Sequence, residues 1–476
     1  MTLRVAPNTL SLSVYASLED AGLKLSLDTA AGREEADIAL HVENLTPSHL
    51  SESLTEQPWL AAIDAPISMN LRGTVDQSDR LLTLNGQTSA GPGRLRPTGF
   101  GAEFPFSTAR SYFQFDPEKQ RLTLDALTIR SPQLEVDATG HADLLRNEAK
   151  RLDEAILQLR FGRVAVDPEG VFESAAQFDS GAADIRFVPG EMRADLGQLY
   201  LQTSDADGDA ASSIRITGGI APKEAEAGQS RGWDTTMDLE VDRIRSQDLL
   251  ALWPVPVANR TRAWLSQNLM DATFTNARIF LRGDGGDVET VLSYQFEDAT
   301  VLAVPTLPPI RNARGFASIR GDSYAMTFDA GIVEPPEGGT LDLAGSTIRV
   351  PDLEAKPALM DVALRTAGTA TATLSLLNEP PLSVLRDTGF GPDLATASVE
   401  TKGTISFPLQ KNLTLNEVRF DVTGTARRFT SNVLVPDHRL AADLLSLRAN
   451  NSEVAVSGSA QLDDVPLTAT WTQRLG

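Results

Sequence analysis

Four histidines, His41, His49, His141 and His438, are the side chains whose charge changes near neutrality by default. A metal site needs two or more such residues, or a carboxylate pair, at a spacing that lets them converge. None of the four has a partner of that kind, so they read as surface or edge residues. The chain has no cysteine, which removes disulfides, thiolate nucleophiles and cysteine-held zinc. It also has no nucleophile elbow, phosphate-cradling loop or dinucleotide fingerprint. With 64 acidic residues, an adjacent pair such as Asp463-Asp464 carries no information. The run Asp205-Ala206-Asp207-Gly208-Asp209 imitates a calcium loop. Its glycine is misplaced, and Ile216 stands where a bidentate glutamate is required, so it reads as a hairpin tip. Arg282-Gly283-Asp284 and Arg320-Gly321-Asp322 each follow a strand pattern and read as turns. No catalytic residue, metal or cofactor is expected, and the chain reads as something other than an enzyme.

With no reaction centre to position, the elements themselves become the subject. Apolar and polar residues alternate from one end to the other, as in Ile67-Ser68-Met69-Asn70-Leu71-Arg72, Leu122-Thr123-Leu124-Asp125 and Val454-Ala455-Val456-Ser457. Side chains on a strand point alternately to opposite faces, so each segment has one greasy and one wet face. Strand patterns occupy 8–45, 66–145, 183–220, 233–241, 274–364 and 398 to the end, separated by turn-rich spacers such as Gly91-Pro92-Gly93. Helical inserts are expected at 46–62, 246–253, 258–269 and 374–388, a short helical piece is expected to open at 167–170, and 223–232 reads as a polar loop. The fold class is therefore mainly β: an elongated, twisted and curved antiparallel sheet with short helical inserts. Four segments follow: 1–145, 146–232, 233–372 and 373–476.

Composition narrows the use of such a sheet. A net charge of −22 repels nucleic acid and anionic membrane surfaces. Aromatics make up only 6%, too few for base-stacking platforms or an aromatic-lined sugar cleft. The N-terminus lacks the apolar run of a signal peptide, and no run reaches the ~20 apolar residues of a membrane helix. Both ends interrupt strand patterns, which implies a segment of a longer protein.

The most distinctive stretch is Trp253-Pro254-Val255-Pro256-Val257, followed by Arg260-Thr261-Arg262-Ala263-Trp264-Leu265 and Asn268-Leu269. Read on its own, Trp253, Trp264 and Leu265 plug the sheet as core. The stretch, continuing through Ala277–Gly283, resembles the central domain of YhdP-type proteins of the AsmA-like superfamily. Leu60–Ser68, Phe115-Asp116-Pro117 and Phe407-Pro408-Leu409 are similar to flanking parts of that family. The resemblance implies a periplasmic protein, anchored to the inner membrane in full-length form. It implies a β-groove that carries phospholipid toward the outer membrane, with membrane or envelope proteins at its ends.

On this reading phospholipid acyl chains are the partner and nucleic acid is not. Met69, Leu71, Leu122, Leu124, Val136, Ile279, Leu281, Met326, Phe328, Phe420, Val422, Val454 and Val456 line the groove. Trp253, Pro254, Pro256, Arg262, Trp264, Leu265 and Asn268 form the structural motif. The alternative is a structural or adhesin-like β-scaffold in which the same residues fill a closed core.

Overall fold

The computed structural model describes residues 2–6, 9–18, 21–30, 32–47, 63–96, 103–148, 151–203, 212–223, 233–253, 255, 259–284, 287–302, 306–380, 383–386, 388–410, 413 and 415–474. It is mainly β, 69% strand and 6% helix, and every strand pairing with a stated register is antiparallel. The chain forms two units. The first is Met1–Glu240 with Ala251–Val257 and Leu281–Val288; the second is Val241–Leu250, Ala258–Phe280 and Glu289–Gly476.

In the first unit each long strand pairs with the next, an up-and-down meander. It runs from Thr2–Ala6 and Thr9–Leu18 through Ile67–Asp76, Arg121–Arg130 and Leu152–Val166 to Ser212–Pro222. Local chemistry makes these hairpins. At the tip after Ile67–Asp76, the Asp76 carboxylate accepts from the backbone N–H of Ser78 (2.8 Å) and Arg80 (3.0 Å), while Asp79 takes the left-handed conformation. The second unit repeats the scheme from Asp287–Val301 through Ile310–Arg320, Ser323–Val333, Leu359–Thr369 and Thr396–Pro408 to Val465–Arg474.

Among the described residues, three short α-helices interrupt the strands: α1 (Ser246–Leu252), α2 (Asn259–Asn268) and α3 (Ala370–Asn378). The Thr369 hydroxyl accepts from the Ala372 N–H at 3.0 Å and so caps α3. The helix ends before Pro380-Pro381, which lack amide donors. It begins four residues before the expected 374, because that cap outweighs the weak helix propensity of its threonines.

Other expectations are corrected. Residues 167–170 form a turn rather than a helix. Arg282-Gly283-Asp284 lies inside the strand Leu269–Asp284 instead of following it, and Arg282 pairs with Asp238. Gly321 of Arg320-Gly321-Asp322 does form a turn, with φ of 54°. Trp264 is not core: it stands 46% exposed on α2. The helix expected over 46–62, the loop 223–232 and the tip 205–209 lie largely or wholly outside the described residues.

Candidate functional site

Cross-strand partners in a ladder point to the same face, so the register decides which side chains share a surface. In the first unit one row of partners runs Val14, Leu25, Leu40, Leu71, Gly86, Phe113, Leu124, Gly140, Leu159, Ala183, Leu199, Ile216. Every member is apolar or glycine. The row on one side of it contains Met69, the row on the other side contains Leu122, and Val136 lies on the same face. Met69, Leu71, Leu122, Leu124 and Val136 therefore share one face. Where Thr88 and Ser111 intrude on this face, their hydroxyls satisfy each other at 2.7 Å.

The opposite face is wet and charged. Arg121 pairs with Asp143 (2.6 Å), Arg130 with Asp137 (2.7 Å) and Arg186 with Glu154 (2.7 Å). The guanidinium hydrogen bonds hold the carboxyls of Asp143, Asp137 and Glu154 below the usual range. His41, on the same face, lies 2.5 Å from Asn70 and 2.9 Å from Glu43, and the hydrogen bond to Glu43 raises its pKa.

In the second unit the row Tyr294, Ala317, Met326, Ile348, Val362, Ile405, Phe420 defines the apolar face. Phe328 and Val422 lie two residues along from members of that row. Val422 leads through Ala449 to Val454, and Val456 follows on the same side. Met326, Phe328, Phe420, Val422, Val454 and Val456 thus also share a face. Ile279 and Leu281 are half-buried and alternate with exposed Arg278, Phe280 and Arg282. They fall on either side of the boundary between the units. Of the thirteen groove candidates, Val136 and Phe328 are buried and the other eleven are half-buried.

Two devices shape these faces, and neither was read from the sequence. Bulges keep the apolar residues in phase where the alternation skips. Asn44, Asp298 and Asn312, all at positive φ, are the extra residues between Val42 and Leu45, Phe296 and Ala299, and Arg311 and Arg314. Glycines then let the sheet bend. Gly73, Gly86, Gly140, Gly181, Gly315, Gly403 and Gly458 all occupy the apolar faces. A Cβ at Gly140 would stand 2.0 Å from the Gln158 carbonyl, and one at Gly315 1.9 Å from that of Thr327. The adjacent strand thus leans over the apolar side, which becomes the inside of the bend. A lone glycine at an apolar position within a strand pattern was the available signal.

The insert has its own anchors. Arg262 is buried and its Nη2 donates to the Leu250 carbonyl at 3.0 Å, tying α2 to α1. Asn268 Nδ2 donates to the Trp264 carbonyl at 2.8 Å, closing the end of α2. Trp253 and Leu265 are half-buried, while Pro254 and Pro256 lie outside the described residues. No group of three or more His, Cys, Asp or Glu able to hold a metal occurs among the described residues. No helix among them is long and apolar enough to cross a membrane. No family model, curated protein or solved structure matches the chain.

Proposed function

We propose that this chain is a length of a non-enzymatic lipid conduit, whose apolar sheet faces shelter phospholipid acyl chains in transit across an aqueous space. The observation that carries the reading is the row from Val14 to Ile216: apolar side chains or glycine at every position, on the inside of a bend. Exposing an acyl chain to water costs about 0.8 kcal/mol per methylene, or on the order of 12 kcal/mol for a ~16-carbon tail. A continuous aliphatic face removes most of that barrier at each step and requires no reaction. Its residues must contact the tail without sealing into a core, and eleven half-buried candidates have that character. The ion-paired outer face and the net charge of −22 keep such a protein in solution. The resemblance of the Trp253–Gly283 stretch to YhdP-type proteins supports the same reading. With it come a periplasmic location, inner-membrane anchoring and envelope partners at the ends of the full-length protein.

The rival, a scaffold with a filled interior, draws on α3. There Ala372 is fully buried against Val333 and Leu341, so part of the second face is occupied by the chain itself. Photo-crosslinking separates the two. A photoreactive residue at Leu124 or at Phe328 captures phospholipid in cells if the faces carry lipid. Absence of lipid adducts at both sites favours the scaffold.

A further inference from the structure

Two polar groups stand on the apolar face of the second unit with no charge nearby to explain them. Tyr294 and Tyr324 lie on the strands flanking Ile310–Arg320, and their rings lean over it until the hydroxyls are 3.3 Å apart. Ala317, the cross-strand partner of Tyr294, is 1% exposed and small enough to leave room for the rings. Phe274 meets the Tyr294 ring edge-on at 5.5 Å and 76°. One row along, Phe296 and Phe328 meet edge-on at 5.9 Å and 78°, with the Phe296 ring over Gly315. Aromatic rings thus bridge the face at this point.

Loss of hydration raises the pKa of both tyrosines, so both stay protonated donors at neutral pH. A facing hydroxyl pair shares one hydrogen bond, in which one O–H donates and the other group accepts. The accepting tyrosine keeps its own O–H, and no further partner for either hydroxyl lies among the described residues. Both residues are only half-buried, so an incoming acceptor can reach the unused donor and compete for it.

We infer that Tyr294 and Tyr324 form a hydrogen-bond donor site for the carbonyl or carboxylate oxygen at the head of an acyl chain whose hydrocarbon lies along the apolar face. This rests on the lipid reading above and adds a polar way-station to it. An acyl ester suits the site because it brings an acceptor and no competing donor. The tail would run along Met326, Ile348 and Val362, which share the face with the pair.

The test uses the full 476-residue chain and three probes: methyl oleate, oleate and the hydrocarbon fluorophore diphenylhexatriene. Tyr294→Phe and Tyr324→Phe keep the rings and remove only the hydroxyls. Each is expected to weaken binding of at least one acyl probe about tenfold, while diphenylhexatriene binds as before. Tyr112→Phe, exposed on the polar face of the first unit, leaves all three probes unchanged. The acyl probe that loses more identifies the source of the acceptor, ester or free acid. Unchanged binding of both acyl probes in both variants, with diphenylhexatriene still bound, overturns the donor site and leaves the lipid reading standing. Failure of the wild-type chain to bind any of the three overturns both.

Discussion

The two units use one alternating pattern to make two different surfaces. In the first, the apolar face is mostly aliphatic, with Phe113 in its central row, and near its beginning it stays open to solvent: Leu10, Leu23 and Leu25 are 39–43% exposed. In the second, part of the face is occupied. Ala370 on α3 packs among Val399, Ala426, Ala442, Leu445 and Ala460, and aromatic rings bridge the strands at Tyr294 and Phe296. Among the described residues, twelve buried apolar side chains belong to the first unit and twenty-one to the second. Alternation alone therefore specifies a two-faced sheet. Whether the greasy face becomes a lining or a core depends on small residues and on one short helix.

The largest expected effect comes from the bends. Gly140→Val and Gly315→Val each place a side chain against a neighbouring carbonyl that is backbone and cannot swing away. Each should cost about 3 kcal/mol or more. Hydrogen exchange resolved by peptide should show the loss within the mutated unit. Truncation sharpens the contrast. Leu341→Ala, at a position 2% exposed beneath α3, should destabilise the second unit by about 2–5 kcal/mol. Leu25→Ala, 43% exposed, should cost less than about 1 kcal/mol, as read by chemical denaturation.

The smallest effect is electrostatic. The carboxyls of Asp137, Asp143 and Glu154 are held below their usual range by hydrogen bonds from Arg130, Arg121 and Arg186. A depressed folded pKa contributes stability above the unfolded value, near pH 4, and that stability is lost as pH falls through the folded value. All three lie in the first unit. Its melting temperature should therefore fall below about pH 4, and Asp143→Asn should blunt that fall. These pairs are largely exposed, so the shift should be modest and should shrink with added salt.

Much of the fold was legible because period-two alternation and turn chemistry are local. Leu122-Thr123-Leu124-Asp125 declares a strand by itself, and Pro380-Pro381 declares a helix end. Which faces join is not local. Leu124 and Leu159 share a surface only because both pair with Gly140, and no single strand carries that register. The bulges at Asn44, Asp298 and Asn312 shift the parity that a plain alternation count assumes. Trp264 misleads because a large apolar side chain reads as core, whereas α2 presents it to solvent. The Tyr294–Tyr324 contact joins residues thirty positions apart across an intervening strand, a relation that no spacing rule reports.

On the lipid reading, one face of the sheet meets acyl chains and the other does not. A residue-by-residue photo-crosslinking scan over Leu122, Thr123, Leu124 and Asp125 tests it most directly, because these positions alternate between the two faces. Lipid adducts are expected at 122 and 124 and none at 123 and 125. Equal capture at all four positions, or capture at 123 and 125 alone, would contradict it.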